Sequence, residues 1–84
     1  MREFVEERNE EALCMDGFDD CIIGVCYRIN QPPITAYSLK KVIEKMVTEE
    51  GMSYEEAYEF YEYNQLGSWL GENTPCFLEL EEDE

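Results

Sequence analysis

An 84-residue chain with 21 Asp and Glu against 6 Lys and Arg carries a formal net charge of −15, and that length holds a single domain with a thin margin of buried surface. The charge excludes electrostatic affinity for nucleic acid or anionic lipid, which runs on Lys and Arg, and no apolar run approaches the roughly 20 residues of a membrane span. At 44% hydrophobic and 13% aromatic, the chain is too rich in core-forming side chains to be a disordered acidic tail.

Residues 2–13 set Phe4, Val5, Ala12 and Leu13 among acids, which predicts a loosely amphipathic or frayed helix. Met15 to Asp20 carries Gly17 after Asp16, a turn signal. Cys21–Ile29 is the strongest strand pattern: β-branched, aromatic and apolar on both parities, so it is expected at the centre of a sheet. Asn30-Gln31-Pro32-Pro33 is expected to end it, and Ile34–Tyr37 to return antiparallel beside it.

Ser38 is a natural N-cap for a helix over 39–50, with Leu39, Val42, Ile43, Met46 and Val47 on one face, and Gly51 suits the left-handed position after it. Ser53-Tyr54-Glu55-Glu56 spells a capping box that opens a second helix over 54–64. The same angular count puts Tyr54, Ala57, Tyr58, Phe60 and Tyr61 inward and Glu55, Glu59 and Glu62 outward. Gln65 to Pro75 is a glycine-punctuated loop with the only tryptophan, Trp69, and Cys76–Leu80 alternates as a strand should. The expectation is an α+β fold: one small domain over 1–84, about three strands in an antiparallel or mixed sheet, and two helices packed on one face. Residues 1–12 and 81–84 are expected as its loose ends.

Cys14, Cys21, Cys26 and Cys76 show no CxxC pair, and there is no histidine. A zinc site from these four alone would need unusual loop geometry. The N-terminus lacks the pattern of a secretory signal, so reduced thiols are expected, with Cys26 and Cys76 as small packing residues and no cofactor. The missing histidine removes the commonest general base and any Ser-His or Cys-His pair, and the expectation is a protein that is not an enzyme. Asp16, Asp19 and Asp20 lack the alternation and the closing Glu of a calcium loop, so turn capping is the reading for them. The glycine loop matches no phosphate-binding pattern.

The charge is unevenly spread. Residues 1–20 hold eight acids and two bases, residues 21–45 hold four bases and one acid, and residues 46–84 hold twelve acids and no base. Glu55, Glu59 and Glu62, spaced i, i+4, i+7, form a row of carboxylates along the second helix. Such a row resembles part of a phosphate backbone, although an acidic helix face is more often simply a solvated one. With Tyr63 on the outer side and Trp69 over the core or at an interface, these five residues are the candidate contact surface. A basic surface on another protein is the expected partner, with no direct nucleic acid and no membrane. Self-association through a sheet edge or through Tyr63 and Trp69 is the alternative.

Asp16-Gly17-Phe18-Asp19-Asp20 with Ile22-Ile23-Gly24, then Gly51-Met52-Ser53 with Glu55-Glu56-Ala57, then Asn64, Gly67, Gly71, Thr74-Pro75 and Phe77, carry a resemblance that spans Leu13 to Phe77. Over that stretch the chain resembles small acidic proteins encoded by tailed bacteriophages. The shared residues are turn, cap and packing signals and name no chemistry. Cys21 and Cys26 depart from the pattern, where small aliphatic residues are expected. The resemblance implies an accessory protein acting in a host cytoplasm, of the kind that binds host factors without catalysis.

Overall fold

A computed structural model describes residues 1–66 and 70–81, with the side chains of residues 65 and 66 left aside. Among the described residues the elements run α1 (Arg2–Arg8), β1 (Ile22–Arg28), β2 (Gln31–Ser38), α2 (Leu39–Glu50), α3 (Tyr54–Tyr61) and β3 (Cys76–Leu78). The fold is α+β. β1 and β2 pair antiparallel, and β3 joins the other side of β2 in parallel, giving a mixed sheet in the order β1-β2-β3. A parallel pair needs a long crossover, and here α2 and α3 supply it.

The centre of the sheet is β2, which corrects the expectation that the Cys21–Ile29 run would lie there. β1 is an edge strand, its register with β2 slipping between Ile22 and Gly24 and again between Cys26 and Arg28. Such irregularities are common on edges, where they break the even ladder that would recruit another strand. The sequence places the prolines in the segment that ends the first strand, ahead of a second strand over Ile34–Tyr37. Instead Gln31, Pro32 and Pro33 belong to β2, beside the second slip, where a missing N–H costs no ladder bond. Asn30 makes the turn with a φ of 59°, a left-handed conformation that Asn tolerates. From Ile34 to Ser38 every residue of β2 is buried.

One cluster of buried side chains joins Val5, Ile22, Tyr37, Leu39, Val42, Ile43, Met46, Ala57 and Tyr61, so α1, α2 and α3 all contribute to one core against the sheet. Val5 is packed within it, which ties α1 down where a frayed end was expected; the helix itself stops at Arg8 rather than reaching residue 13. Phe77 stacks on Tyr37 at 5.6 Å and meets Tyr61 edge-on at 5.0 Å, binding β3 to both β2 and α3.

The buried polar groups of β2 anchor the segment between α1 and β1. The Tyr37 hydroxyl accepts from the Met15 amide at 2.6 Å, and the Thr35 hydroxyl donates to the Leu13 carbonyl at 2.9 Å. Burial pushes the Tyr37 phenol up to about 12. The segment leading into β3 is held the same way. Asn9 Nδ2 donates to the Pro33 carbonyl at 2.8 Å and to Asn73 Oδ1 at 2.9 Å, and Arg28 donates to the carbonyls of Pro32 and Glu72.

Ser38 caps α2 through the Lys41 amide at 3.2 Å, and Gly51 ends the helix at a φ of 71°. The capping box of α3 is present: Ser53 Oγ accepts from the Glu56 amide at 3.2 Å, and Glu56 Oε1 accepts from the Ser53 amide at 2.9 Å. The α-helix was expected to continue to residue 64. It ends at Tyr61 and widens into a π-type turn over Glu62–Leu66. The expected strand over 76–80 shortens to Cys76–Leu78.

Candidate functional site

The stripe on α3 is built by a helix that buries very little. Only Ala57 and Tyr61, one turn apart, reach the core. The inward placement of Tyr54, Tyr58 and Phe60 is therefore corrected: they are 57%, 40% and 39% exposed, and Tyr63 is 83% exposed. An inner wedge of five residues needs neighbours on both flanks, and α3 packs mainly against α2. Glu55, Glu59 and Glu62 are all exposed, and none forms an ion pair among the described residues.

Three of the six bases form ion pairs elsewhere among the described residues. Arg2 reaches Asp19 at 3.3 Å and Asp16 at 3.9 Å, Arg8 pairs with Glu7 at 3.5 Å, and Lys45 bridges Asp20 at 3.1 Å and Glu49 at 3.0 Å. The Asp20 carboxyl is held below its ordinary range by the hydrogen bond from Lys45. The Glu56 carboxyl is held down by the Ser53 backbone and side chain of the capping box. Both shifts favour the charged form and are opposite to the raised carboxyl a general acid needs.

Two of the hollows that border α3 hold most of its exposed aromatic side chains. One, of about 400 Å³, is lined by Met52, Glu56, Glu59, Phe60, Tyr63 and Asn64. The other, of about 310 Å³, lies between α2, α3 and the end of β3 and includes Ile43, Tyr54, Tyr58, Glu79 and Leu80. Glu59 and Tyr63 thus line one hollow, with Glu55 on the same helix and Glu62 on the turn that follows it. Trp69 lies outside the described residues.

A second acidic surface escaped the sequence reading. Glu3, Glu6, Glu7 and Glu10 line a shallow depression of about 470 Å³ on the outer side of α1. The spacing of Glu3, Glu6 and Glu7, i, i+3, i+4, is the signal that reveals it: burying Val5 turns these three outward, and Glu10 joins them from the turn after α1.

The cysteines divide between the two sides of the molecule. Cys14 lies 3.5 Å from the Thr35 hydroxyl, and Cys21 is buried, with its thiol pushed up to about 11 by burial and by Asp20. Cys26 and Cys76 are half-buried on β1 and β3. The Cys76 thiol is pushed up to about 11 by burial and by the Cys26 thiol beside it. Among the described residues no three Cys, Asp or Glu side chains gather as a metal-ligand set, and no helix is long and apolar enough to cross a membrane. A scan against protein-family models found no match to the chain, nor did searches of curated proteins and solved structures.

Proposed function

We propose that the chain is a non-enzymatic acidic binding protein, a phage-type accessory protein of the host cytoplasm, whose α3 surface engages a basic surface of a host protein. A nucleic-acid-handling or host-defence factor is the natural partner for a row of carboxylates that imitates phosphates. The observation carrying this reading is that Glu55, Glu59 and Glu62 stand exposed with no ion-pair partner among the described residues. Along an α-helix, steps of four and three residues advance roughly 6 and 4.5 Å, comparable to the ~3.4 Å phosphate spacing of one DNA strand once side-chain reach is allowed for. Exposed Phe60 and Tyr63 supply aromatic contact area beside the charge.

The test is capture of partners from host lysate at low and high salt, comparing the wild-type chain with the triple variant E55K/E59K/E62K. The expected outcome is a salt-sensitive, nucleic-acid-binding partner that the triple variant fails to capture, while a control variant E3K/E6K/E10K on α1 still captures it. If the α3 variant captures as well as wild type, α3 is not the contact surface.

Self-association is a second reading, favoured by the sheet's two edge strands, β1 and β3. Light scattering across ionic strength separates the two. A dimer that grows with added salt supports the second reading, since screening relieves the repulsion between −15 chains. A monomer at every salt and concentration sinks it.

A further inference from the structure

Helices α1 and α3 carry a related constellation, and on α1 it already holds its cation. There the Arg8 guanidinium lies over the Phe4 ring, 3.7 Å from its centroid. The same group donates to the Phe4 carbonyl at 3.4 Å and reaches the Glu7 carboxylate at 3.5 Å. Ring, carbonyl and carboxylate thus surround one guanidinium, borne four residues after the ring. On α3 the ring is Phe60, and four residues after it stands Asn64, whose Nδ2 donates to the Phe60 carbonyl at 3.2 Å. The bond to the backbone is repeated, but the side chain is short and neutral and brings no positive charge to the ring.

The hollow beside Phe60 has the rest of what a guanidinium uses. Its volume is about 400 Å³, at the small end for a ligand site. Two aromatic side chains, Phe60 and Tyr63, and two carboxylates, Glu56 and Glu59, line it together. Both rings are exposed, Tyr63 most of all, so the core makes little use of them. All six bases of the chain lie at or before Lys45, and none lines this hollow. Neither Glu56 nor Glu59 forms an ion pair among the described residues. The bond from the Ser53 amide holds the Glu56 carboxyl in its charged form.

We propose that this hollow binds a single arginine side chain supplied by the basic partner surface that α3 engages. The proposal rests on that partner for the source of the arginine, while the chemistry of the hollow selects the side chain. A guanidinium is planar, forked and weakly hydrated, so one face can lie on a ring while its N–H groups meet carboxylates. An ammonium is compact and strongly hydrated and gains less from an aromatic wall. Hard metal ions take oxygen ligands and leave both rings unused, and the carboxylates repel anionic ligands.

The test titrates the isotope-labelled full chain with Nα-acetyl-arginine methylamide and, separately, with its lysine analogue at equal ionic strength, following backbone amide shifts by NMR. The arginine probe should shift the amides over 52–64 saturably, leave α1 little changed, and bind several-fold more tightly than the lysine probe. Tyr63 is 83% exposed, so Y63L should spare the fold and weaken arginine binding by roughly 2–5-fold, the worth of one exposed cation–π contact. F60L/Y63L keeps apolar bulk and both carboxylates but removes both rings, and it should bring arginine level with lysine. The proposal is overturned if the shifts spread evenly over the acidic surfaces, if lysine binds wild type as tightly as arginine, or if F60L/Y63L keeps the arginine preference. Mapping on the wild-type chain needs no substitution, so it decides even where a variant fails to fold. A partner captured from lysate and lost by E55K/E59K/E62K, with no arginine binding in the titration, removes the arginine site and leaves α3 as the contact surface. Saturable arginine binding with no captured partner keeps the site and removes the host-protein partner.

Discussion

Helices α2 and α3 follow one another through three residues, Gly51–Ser53, yet they are held in different ways. α2 buries Leu39, Val42, Ile43 and Met46, mixes three lysines with its acids, and is capped at both ends. α3 buries Ala57 and Tyr61, carries Glu55, Glu56 and Glu59 with no base, and leaves Tyr54, Tyr58 and Phe60 exposed. The contrast separates two jobs that one amphipathic helix usually combines. α2 is the strut of the core. α3 is retained by a cap and a narrow line of contact, and most of its perimeter is turned outward.

The largest expected effect that tests this contrast is on α2. Met46 is fully buried, so M46A should remove about 2–5 kcal/mol of global stability, read as a lower denaturant midpoint with one cooperative transition. A loss well below that range would mean that α2 is not the strut. A smaller effect should fall on α3 alone. S53A removes the hydroxyl of the capping box and should cost about 1 kcal/mol, seen as faster amide exchange across residues 54–61 with little change across 39–50. Equal acceleration in both helices would erase the distinction between them.

The smallest effect concerns pH. Glu56 is held below its ordinary 4.5 by the Ser53 hydrogen bonds, so the folded state favours its charged form. That contribution is present above the unfolded value and disappears as pH falls through the folded one. The stability difference between wild type and E56Q, which removes the carboxylate that accepts from the Ser53 amide, should therefore shrink from neutral pH toward pH 3. A difference that stays constant or grows on acidification would show that the carboxylate arm of the box is not acting.

Much of this arrangement is legible in residue order, and the exceptions have physical causes. The caps at Ser38, Gly51 and Ser53 read directly because capping is local: the side chain satisfies an amide three residues away. The outward placement of Glu55 and Glu59 follows from helical period, whereas Glu62 and Tyr63 are exposed on the π-type turn that the period does not foresee. The central strand does not read locally. Cys21–Ile29 has the composition of a buried strand, but centrality depends on β3 arriving beside β2 from the far end of the chain. Pro32 and Pro33 signal a strand end unless a register slip releases them from the ladder. For Tyr54 and Tyr58, period gives direction but not depth, because depth depends on how many neighbours a helix has. That Cys26 and Cys76 share a face is invisible for the same reason: 50 positions separate two side chains that the sheet sets on opposite sides of β2.

Ser38 ends β2, pairs with Leu78 of β3, and caps the first turn of α2. Strand and helix therefore meet without a linker, and the joint has no slack to absorb a change in chain length. One residue inserted between Ser38 and Leu39 would swing every side chain of α2 by about 100° around its axis, carrying Met46 and Val42 out of the core and lysines into it. Tolerance for length variation should instead lie at the Ile29-Asn30 turn, where the chain reverses at the surface. Of all the places to graft a tag or a linker into this molecule, the Ser38–Leu39 junction is the one to leave alone.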